Sequence, residues 1–354
     1  MSESNSKSKP ISKSKSHSKS HSEISTSDTA PYENQLRGGV LIDLSAAIIR
    51  LIDNQPCCRL VVSVSDEPKR LPFGPFYPLE HRTMEIGLRQ WVEAQVGVQI
   101  EHAEQLYTFG DRGRHAMDQT GEDHVVSVGY LALTRNIHQM GDDADDTESV
   151  WQSLYSFFPW EDWRDQRPEI LDETVLPALN TWLNDHAQEA NRERVNLAFG
   201  VDNRTWDEEL VLERYELLYE AGLVHETLLD GRTSDERAQS AGLGQPLQLD
   251  HRRILATALG RLRGKMKYRP VIFDLMPETF TLGQLQASTE SILGAQLHKQ
   301  NFRRLVEKSN MVTSTGQISR ARGRPAEIFR LRDEASPDRL LSGLRVTPSR
   351  SRLK

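Results

Sequence analysis

The feature that most constrains the fold of this chain is a pattern of three helices and a basic hairpin in its C-terminal third. Asp250 can cap a first helix, in which apolar residues recur at helical spacing over residues 254–262. Thr281 and Gln284 have the spacing of a capping box and predict a second helix, which ends at Gly294. This region therefore begins with two predicted helices.

A third helix and a two-stranded hairpin complete the pattern. Phe302, Leu305 and Val306 predict the inner face of a helix from about residue 298 to 309. Two short strand signals then flank the arginine-rich loop GQISRARGRPA. Three helices followed by a hairpin with a basic tip are typical of a winged helix-turn-helix, which we assign to residues 250–335.

The outer face of the third helix and the hairpin tip have the chemistry of DNA recognition. Gln and Asn can pair with adenine and Arg with guanine, each pair giving about 1–3 kcal/mol of discrimination between bases. Arginines at the tip suit phosphates or a narrow minor groove. The alternative is an ordinary solvated helix face beside a basic loop. The candidate DNA-binding residues are Thr281, Gln284, Lys299, Gln300, Asn301, Arg303, Arg304, Lys308, Arg320, Arg322 and Arg324.

Charge is distributed unevenly along the 354 residues. Residues 251–354 carry 21 basic and 8 acidic side chains, whereas residues 141–250 carry 8 basic and 26 acidic ones. Clustered positive charge favours nucleic-acid binding even where the whole chain is acidic. Residues 1–33, rich in Ser, Lys and His, have too little apolar surface to fold and are expected to be disordered. Residues 336–354 are expected to form a basic flexible tail.

Residues 34–140 alternate between strand and helix signals and predict an α/β domain. Branched residues predict buried strands at Val40–Leu51, Leu60–Val64 and Val125–Leu133. Apolar residues at helical spacing predict one amphipathic helix that ends at Gly97.

An acidic, mainly helical insertion is predicted over residues 141–249. It opens with the acidic linker Gly141–Ser149, and its aromatic residues, Trp160 among them, are expected to pack in a core. The sequence leaves three roles open for it: a dimer interface, an extension of a ligand pocket, or a device that keeps the tails off DNA.

Composition also bears on the compartment. No apolar stretch reaches the roughly 18 to 20 residues that cross a bilayer, so no membrane partner is expected. The N-terminus lacks the pattern of a secretory signal. Cys57 and Cys58 are adjacent, which suits neither a disulfide framework nor a zinc site. A cytoplasmic location is the simplest interpretation.

Several runs of the sequence resemble the Nudix-related transcriptional regulators of NAD metabolism. They are ILATALGRLRGKMKYRPVIFDLMPETFTLGQLQ, LHKQNFRRLVEKS and GRPAEIFRLR in the C-terminal third, and LPFGPF, QLYTFGDRGR and HVVSVGYLALT in the α/β domain. Within that family the chain is most similar to the longer branch that represses de novo NAD biosynthesis through quinolinate.

The resemblance implies a fold and a set of partners. The expected fold is an α/β Nudix-like sandwich domain over residues 34–140, an α-helical insertion, and a C-terminal winged helix-turn-helix. The expected function is repression of NAD biosynthesis genes by a homodimer bound to a palindromic double-stranded operator. The resemblance also implies a nucleotide effector: NAD, ADP-ribose or ATP.

The Nudix-like domain lacks the carboxylates of a working Nudix hydrolase. Such an enzyme holds magnesium with clustered glutamates on one helix, which include an adjacent pair. Gly74, Glu80 and Gly97 keep parts of the motif, but the adjacent pair falls on Ala94 and Gln95. The Arg-Glu pair of the motif falls on Gln90 and Trp91, and a slip in register recovers only Arg89 and Glu93. We therefore expect no catalytic residues, no catalytic cofactor and no metal site, although Glu80, Glu85 and Glu93 leave a weak metal site as an alternative.

An effector with a diphosphate needs cations and an aromatic platform. The candidate effector-binding residues are Arg70, Phe73, Phe109, Arg112 and Arg114. The alternative is that both phenylalanines belong to the core and the arginines to the surface. Two other functions stay open at this point: a Nudix hydrolase acting on ADP-ribose or a related nucleotide, and a scaffold whose acidic middle binds another protein.

Overall fold

The structure, a computed structural model, consists of a mixed sheet, a helical insertion and a winged unit. It describes residues 39–63, 67–100, 102–111, 124–135, 149–234, 242–319 and 325–332. Both predicted tails lie outside the described residues.

Six strands form the mixed sheet of the N-terminal part. They are β1 (Val40–Ile52), β2 (Gln55–Val61), β3 (Phe73–Pro75), β4 (Ala103–Phe109), β5 (His124–Leu133) and β6 (Ser149–Ser153). Their order is β4-β5-β1-β2-β6, and β3 pairs with β1. β1 runs parallel to β5, whereas the other pairs are antiparallel.

The strands predicted over β1 and β5 are confirmed, but the strand predicted at Leu60–Val64 starts too late. β2 already begins at Gln55, directly opposite Ile52. Asp53 and Asn54 between them have φ of 49° and 58°, the left-handed pair of a tight two-residue hairpin. Because this turn lacks the usual glycine, its signal in the sequence is weak.

The boundary placed at residue 140 between the α/β domain and the insertion is wrong. β6 falls inside the segment assigned to the insertion, yet it pairs with β2, with Trp151 opposite Arg59. Ser149, predicted as the end of an acidic linker, is the first residue of this strand. Residues 141–148 of that linker lie outside the described residues. The sheet therefore continues to Ser153 before the insertion begins.

Helix α1 (Met84–Val96) covers one face of the sheet, as the apolar spacing predicts. Thr83 caps it, since its hydroxyl accepts from the backbone N–H of Ile86 at 3.2 Å. Gly97 ends it in the left-handed conformation at φ 63°. The buried side of α1, which includes Leu88 and Val92, packs on the strands.

The insertion is mainly helical, as predicted. Its helices are α2 (Leu176–Asp185), preceded by a π-helical turn at Leu171–Val175, α3 (Glu189–Phe199), α4 (Val211–Glu220) and the short α5 (Glu226–Leu229). Trp160, Tyr155, Tyr215 and Tyr219 are buried, as expected of core aromatic residues, whereas Trp163 is partly exposed.

Helix α6 (His251–Tyr268) connects all parts of the molecule. It packs mainly against α4, and also against β1, β4 and β5. The prediction made it the first helix of the winged helix-turn-helix, but in the structure it is shared with the sheet and the insertion. The predicted side-chain cap from Asp250 is also wrong, because its carboxylate pairs with Arg253 instead of a backbone N–H.

The winged unit follows α6. It contains β7 (Thr279–Thr281), α7 (Leu282–Leu293), α8 (Lys299–Ser309), β8 (Val312–Ser319) and β9 (Ala326–Leu331). The strands form a sheet in the order β7-β9-β8. The predicted helix-turn-helix with a hairpin wing is confirmed. The short strand β7 was not predicted, and β8 extends beyond the predicted strand to Ser319.

A buried ion-pair network joins the insertion to α6. Glu161 lies between Arg214 and Arg263, with its carboxylate oxygens 2.5 Å from a nitrogen of each, and all three side chains are fully buried. Burial alone would raise the pKa of Glu161, but the two guanidiniums outweigh it and hold that pKa below its ordinary value. The carboxylate is therefore charged inside the core. A second buried pair joins Arg252 to Glu226 at 3.1 Å.

These contacts explain why an acidic insertion precedes a basic helix. Besides the two buried pairs, Arg253 contacts Glu216 of α4, and Lys267 contacts Glu208 and Glu209 before α4. Much of the positive charge on α6 is therefore neutralised within the molecule, and it cannot be counted toward DNA binding. The insertion serves as the acidic partner of α6.

Two further findings concern membrane spans and the cysteines. None of the helices within the described ranges is long and apolar enough to cross a membrane. Cys57 and Cys58 are buried free thiols, and burial raises the pKa of Cys57 to about 11. Both thiols are thereby kept in the unreactive protonated form at neutral pH.

Removing the charge of Glu161 should destabilise the fold strongly. Glu161→Gln leaves two buried guanidiniums short of their counter-charge, which typically costs about 3–5 kcal/mol of unfolding free energy. The matched control is Glu193→Gln, because Glu193 pairs with Arg204 on the surface, where both side chains are 51% exposed and a pair contributes less than about 1 kcal/mol. Urea unfolding of both variants tests this, and equal losses would contradict it.

Candidate nucleic-acid interface and effector site

Helix α8 presents the polar face that the sequence predicts. Phe302 and Val306 are buried and fix the orientation of the helix, while Leu305 is half-buried. The opposite side, which we call the recognition face, consists of exposed residues: Lys299, Gln300, Asn301, Arg303, Arg304 and Lys308. The structure thus gathers six of the predicted DNA-binding residues on one accessible surface.

Thr281 and Gln284 form the predicted capping box at the start of α7. The Thr281 hydroxyl accepts from the Gln284 N–H at 3.2 Å, and the Gln284 side-chain oxygen accepts from the Thr281 N–H at 2.8 Å. Both side chains are therefore engaged in starting the helix. A DNA contact from them stays a prediction.

The wing is the hairpin of β8 and β9, in which Ser319 pairs with Ala326 next to the tip. Arg320, Arg322 and Arg324, which come between β8 and β9 in the sequence, lie outside the described residues. Their predicted contacts with phosphates or the minor groove stay predictions.

The turn between α7 and α8 is held by the insertion and α6. Gly294 ends α7 with φ 67°, and its carbonyl accepts from the Trp163 N–H at 2.7 Å. Tyr155 donates its hydroxyl to the Ser291 carbonyl at 2.6 Å, and Arg263 donates from Nε to the Ile292 carbonyl at 2.9 Å. A network centred on Glu161 thus sets the position of the helix end that precedes the recognition face.

In the Nudix-like domain, two positions where an active enzyme carries glutamates make structural contacts. Trp91 donates its indole N–H to the Pro75 carbonyl at 3.0 Å, and a Cβ on Gly74 would lie only 2.4 Å from its ring. Gln95 bonds both backbone groups of Phe73, at 3.1 and 2.6 Å. These residues hold β3 against α1.

The remaining carboxylates of the motif do not converge. Glu85 pairs with Arg89 at 2.6 Å as an i,i+4 surface pair, and Glu93 accepts from Gln99 at 3.1 Å. Glu80 is exposed. Among the described residues, no group of three His, Cys, Asp or Glu side chains is placed to hold a metal ion.

The predicted stacking role of Phe73 and Phe109 is contradicted. Their side chains are 4% and 2% exposed, and the rings pack against His251 and Arg253 at the start of α6. An adenine needs an open ring face, so both residues belong to the core. Arg70 lies over Phe73 at 5.7 Å. Arg112 and Arg114 lie outside the described residues.

The structure shows a cation–aromatic cluster that the sequence did not reveal. Arg50 of β1 and Arg59 of β2 lie 5.3 and 5.6 Å from the ring centre of Trp151 on β6. Only the pairing of these three strands brings the residues together, and β6 was not predicted. Since two guanidiniums already contact the ring, the cluster serves to pack the edge strand β6 onto the sheet.

Comparison with known proteins bears on both halves of the chain. A family model described as the NrtR DNA-binding winged helix domain matches residues 272–331. The ADPR responsive transcriptional repressor NtrR of Acinetobacter baylyi is 39% identical over 99 residues, which is 27% of this chain and 40% of that protein. The resemblance to the Nudix-related transcriptional regulators is confirmed. The chain nevertheless aligns with less than half the length of this NtrR relative.

Solved structures of NrtR share the fold over most of the chain. Shewanella oneidensis NrtR complexed with a 27mer DNA superposes with a TM-score of 0.52 at 20% identity, covering 86% of this chain and 99% of that one. Shewanella oneidensis NrtR alone gives a TM-score of 0.51 at 20% identity, with coverage of 87% and 100%. The predicted combination of a Nudix-like domain with an NrtR-type winged helix is therefore confirmed.

The junction at Gly294 gives a specific mutational test. A Cβ at this position would lie 2.2 Å from the Glu161 carbonyl oxygen, in addition to the strain of a positive φ. Gly231→Ala is the matched control, since Gly231 has φ 65° and open space around it. We expect about 1–2 kcal/mol of destabilisation from backbone strain in both variants and about 1–3 kcal/mol more from overpacking in Gly294→Ala.

Thermal or urea unfolding measures this difference. Equal destabilisation of the two variants would show that the α7–α8 turn is not closely packed against Glu161 of the insertion.

Proposed function

We propose that this chain is a DNA-binding transcriptional repressor of NAD biosynthesis genes, which responds to a nucleotide effector through a non-catalytic Nudix-like domain. The observation that carries the proposal is the exposed recognition face of α8 within a segment that matches the NrtR DNA-binding winged helix domain. Arg and amide side chains on that face have the donors and acceptors that read base edges in the major groove.

We propose ADP-ribose as the effector, in preference to NAD or ATP. The relative from Acinetobacter baylyi is named as responsive to ADPR, which supports this choice. The sequence runs shared with the de novo branch support genes of quinolinate synthesis as the regulated set.

The proposed DNA-bound form is a homodimer on a palindromic operator. Two recognition helices related by a two-fold axis would enter successive major grooves about 34–36 Å apart. Effector binding would then alter operator affinity by changing the relative position or the rigidity of the two winged helices.

A Nudix hydrolase of ADP-ribose is the second candidate. Trp91 and Gln95 argue against it, because they occupy glutamate positions of the motif and are engaged with the backbone of β3. Without an adjacent carboxylate pair, magnesium would lack most of its charged ligands.

Mobility shifts with DNA from upstream of NAD-synthesis genes test the proposal. We expect a complex at low ionic strength whose affinity changes on addition of ADP-ribose. Arg304→Ala should weaken it by about 5- to 150-fold, the equivalent of one lost base contact. Arg204→Ala, which removes an exposed arginine of the insertion, is the control and should leave the affinity unchanged.

Two outcomes would count against the repressor. One is the absence of a complex at low ionic strength. The other is an Arg304→Ala titration that coincides with that of the parent chain. Fast magnesium-dependent cleavage of ADP-ribose that disappears in Glu80→Gln would support the hydrolase instead.

A further inference from the structure

Strand β4 is the part of the Nudix-like sheet that lies along α6. It stands at one edge of the sheet, next to β5. Leu106 and Phe109 of β4 are both buried in the core that contains Ile254 of α6. In a regular strand, residues three apart point to opposite faces, but the pairing of β4 shifts register between Gln105 and Thr108. This bulge turns both apolar side chains toward α6.

Two ion pairs hold the two ends of β4 on α6. Glu104, near the start of the strand, pairs with Lys265, and Asp111, just after its end, pairs with Arg253 at 2.5 Å. The two acidic positions are about 23 Å apart along an extended chain, and the two basic positions are about 18 Å apart along the helix. The strand therefore runs antiparallel to α6 and follows it for about three turns.

The cations of both pairs are largely covered. The side chains of Lys265 and Arg253 are 22% and 13% exposed, so their charges are screened less than those of a surface pair. Arg253 also contacts Glu216 of α4 and lies 5.1 Å from the ring centre of Phe109. One guanidinium thus contacts the Nudix-like domain and the insertion at the same time.

The same helix carries the contact that positions the winged unit. Arg263 lies between Arg253 and Lys265 on α6, and it donates to the Ile292 carbonyl at 2.9 Å, at the end of α7. A shift or rotation of α6 would therefore be passed to the turn before the recognition face. On the other side, Asp111 belongs to the run QLYTFGDRGR, one of those that resemble the sensor half of the NAD regulators.

The described residues leave space for movement beside one of the two pairs. A cavity of about 180 Å³ lies next to Glu104 and Lys265, with Leu133 at the end of β5 and Val271 after α6 in its wall. A close-packed core transmits strain and resists small displacements. A pair that borders a cavity can change its position without displacing packed neighbours.

We propose that β4 couples the effector site of the Nudix-like domain to the winged unit, through the pairs Glu104–Lys265 and Asp111–Arg253. The inference rests on the proposed function and deepens it, because it names the contacts through which effector binding alters operator affinity. The effector stays in the Nudix-like domain, and the four residues are positioning contacts. Coupling between two sites typically changes affinity by about 5- to 150-fold, and the change is reciprocal.

Charge reversal of the Glu104 pair tests the coupling in operator mobility shifts on the full chain, with and without ADP-ribose. We expect E104K and K265E each to reduce the effect of ADP-ribose on operator affinity to at most about twofold, below the usual range of coupling. E104K/K265E restores the pair with opposite polarity and should recover the effect of the parent chain. Asp111→Asn removes the second pair and should also reduce it.

The matched control is E193K, which reverses a charge in an exposed pair of the insertion and should leave the coupling unchanged. Calorimetric titration with ADP-ribose in the absence of DNA should give the parent affinity for every variant. Where a charge reversal prevents folding, E104Q replaces E104K in the comparison.

Hydrogen exchange with and without ADP-ribose, in the absence of DNA, gives a readout that does not depend on repression. In the parent chain we expect ADP-ribose to change the exchange of amides in β4, α6 and α7. In E104K and in Asp111→Asn the change should be confined to the Nudix-like sheet, and E104K/K265E should restore it in α6 and α7.

Several results would overturn the coupling role. Parent-like coupling in E104K and Asp111→Asn would do so, as would a lack of recovery in E104K/K265E. Loss of ADP-ribose affinity in the absence of DNA would assign these residues to the effector site instead. If the parent chain binds no operator, yet ADP-ribose changes exchange in α6 and α7 as described, the repressor function fails and the coupling stands. If ADP-ribose does not bind the parent chain, both fail.

Discussion

The architecture depends on one buried carboxylate. Glu161 is held between Arg214 of the insertion and Arg263 of α6, with no exposed surface on any of the three side chains. Removing such charges from water is costly, and the arrangement is tolerable only because every partner is present in good geometry. The Arg263 guanidinium also bonds the carbonyls of Ile292 and Glu208, and a hydroxyl from Tyr155 bonds Ser291. One network therefore fixes the relative positions of the insertion, α6 and the end of α7.

This arrangement gives the acidic insertion a physical role. Its carboxylates pair with four of the six Lys and Arg side chains of α6, so much of the positive charge of that helix is neutralised within the molecule. The Nudix-like sheet, whose motif helix uses Trp91 and Gln95 to hold β3, contributes a rigid support for α6.

Much of the fold could be predicted from the sequence because its signals are local. The capping box at Thr281 and Gln284 is formed by contacts within a few residues of the chain. The same holds for the helical spacing of Phe302 and Val306 in α8. The strand β6 and the buried partners of Glu161 were missed because they depend on contacts between distant segments. The stacking role given to Phe73 and Phe109 failed for the same reason, since only the docking of α6 shows that both rings are covered.

Hydrogen exchange followed by mass spectrometry tests most directly whether the Glu161 network holds the recognition helix in place. The experiment compares the parent chain with Glu161→Gln under native conditions. If the network acts as described, amides of α7, its C-terminal turn and α8 exchange faster in the variant, while those of β1 and β5 keep their protection. Unchanged exchange in α7 and α8, or an equal increase throughout the sheet, would contradict the account.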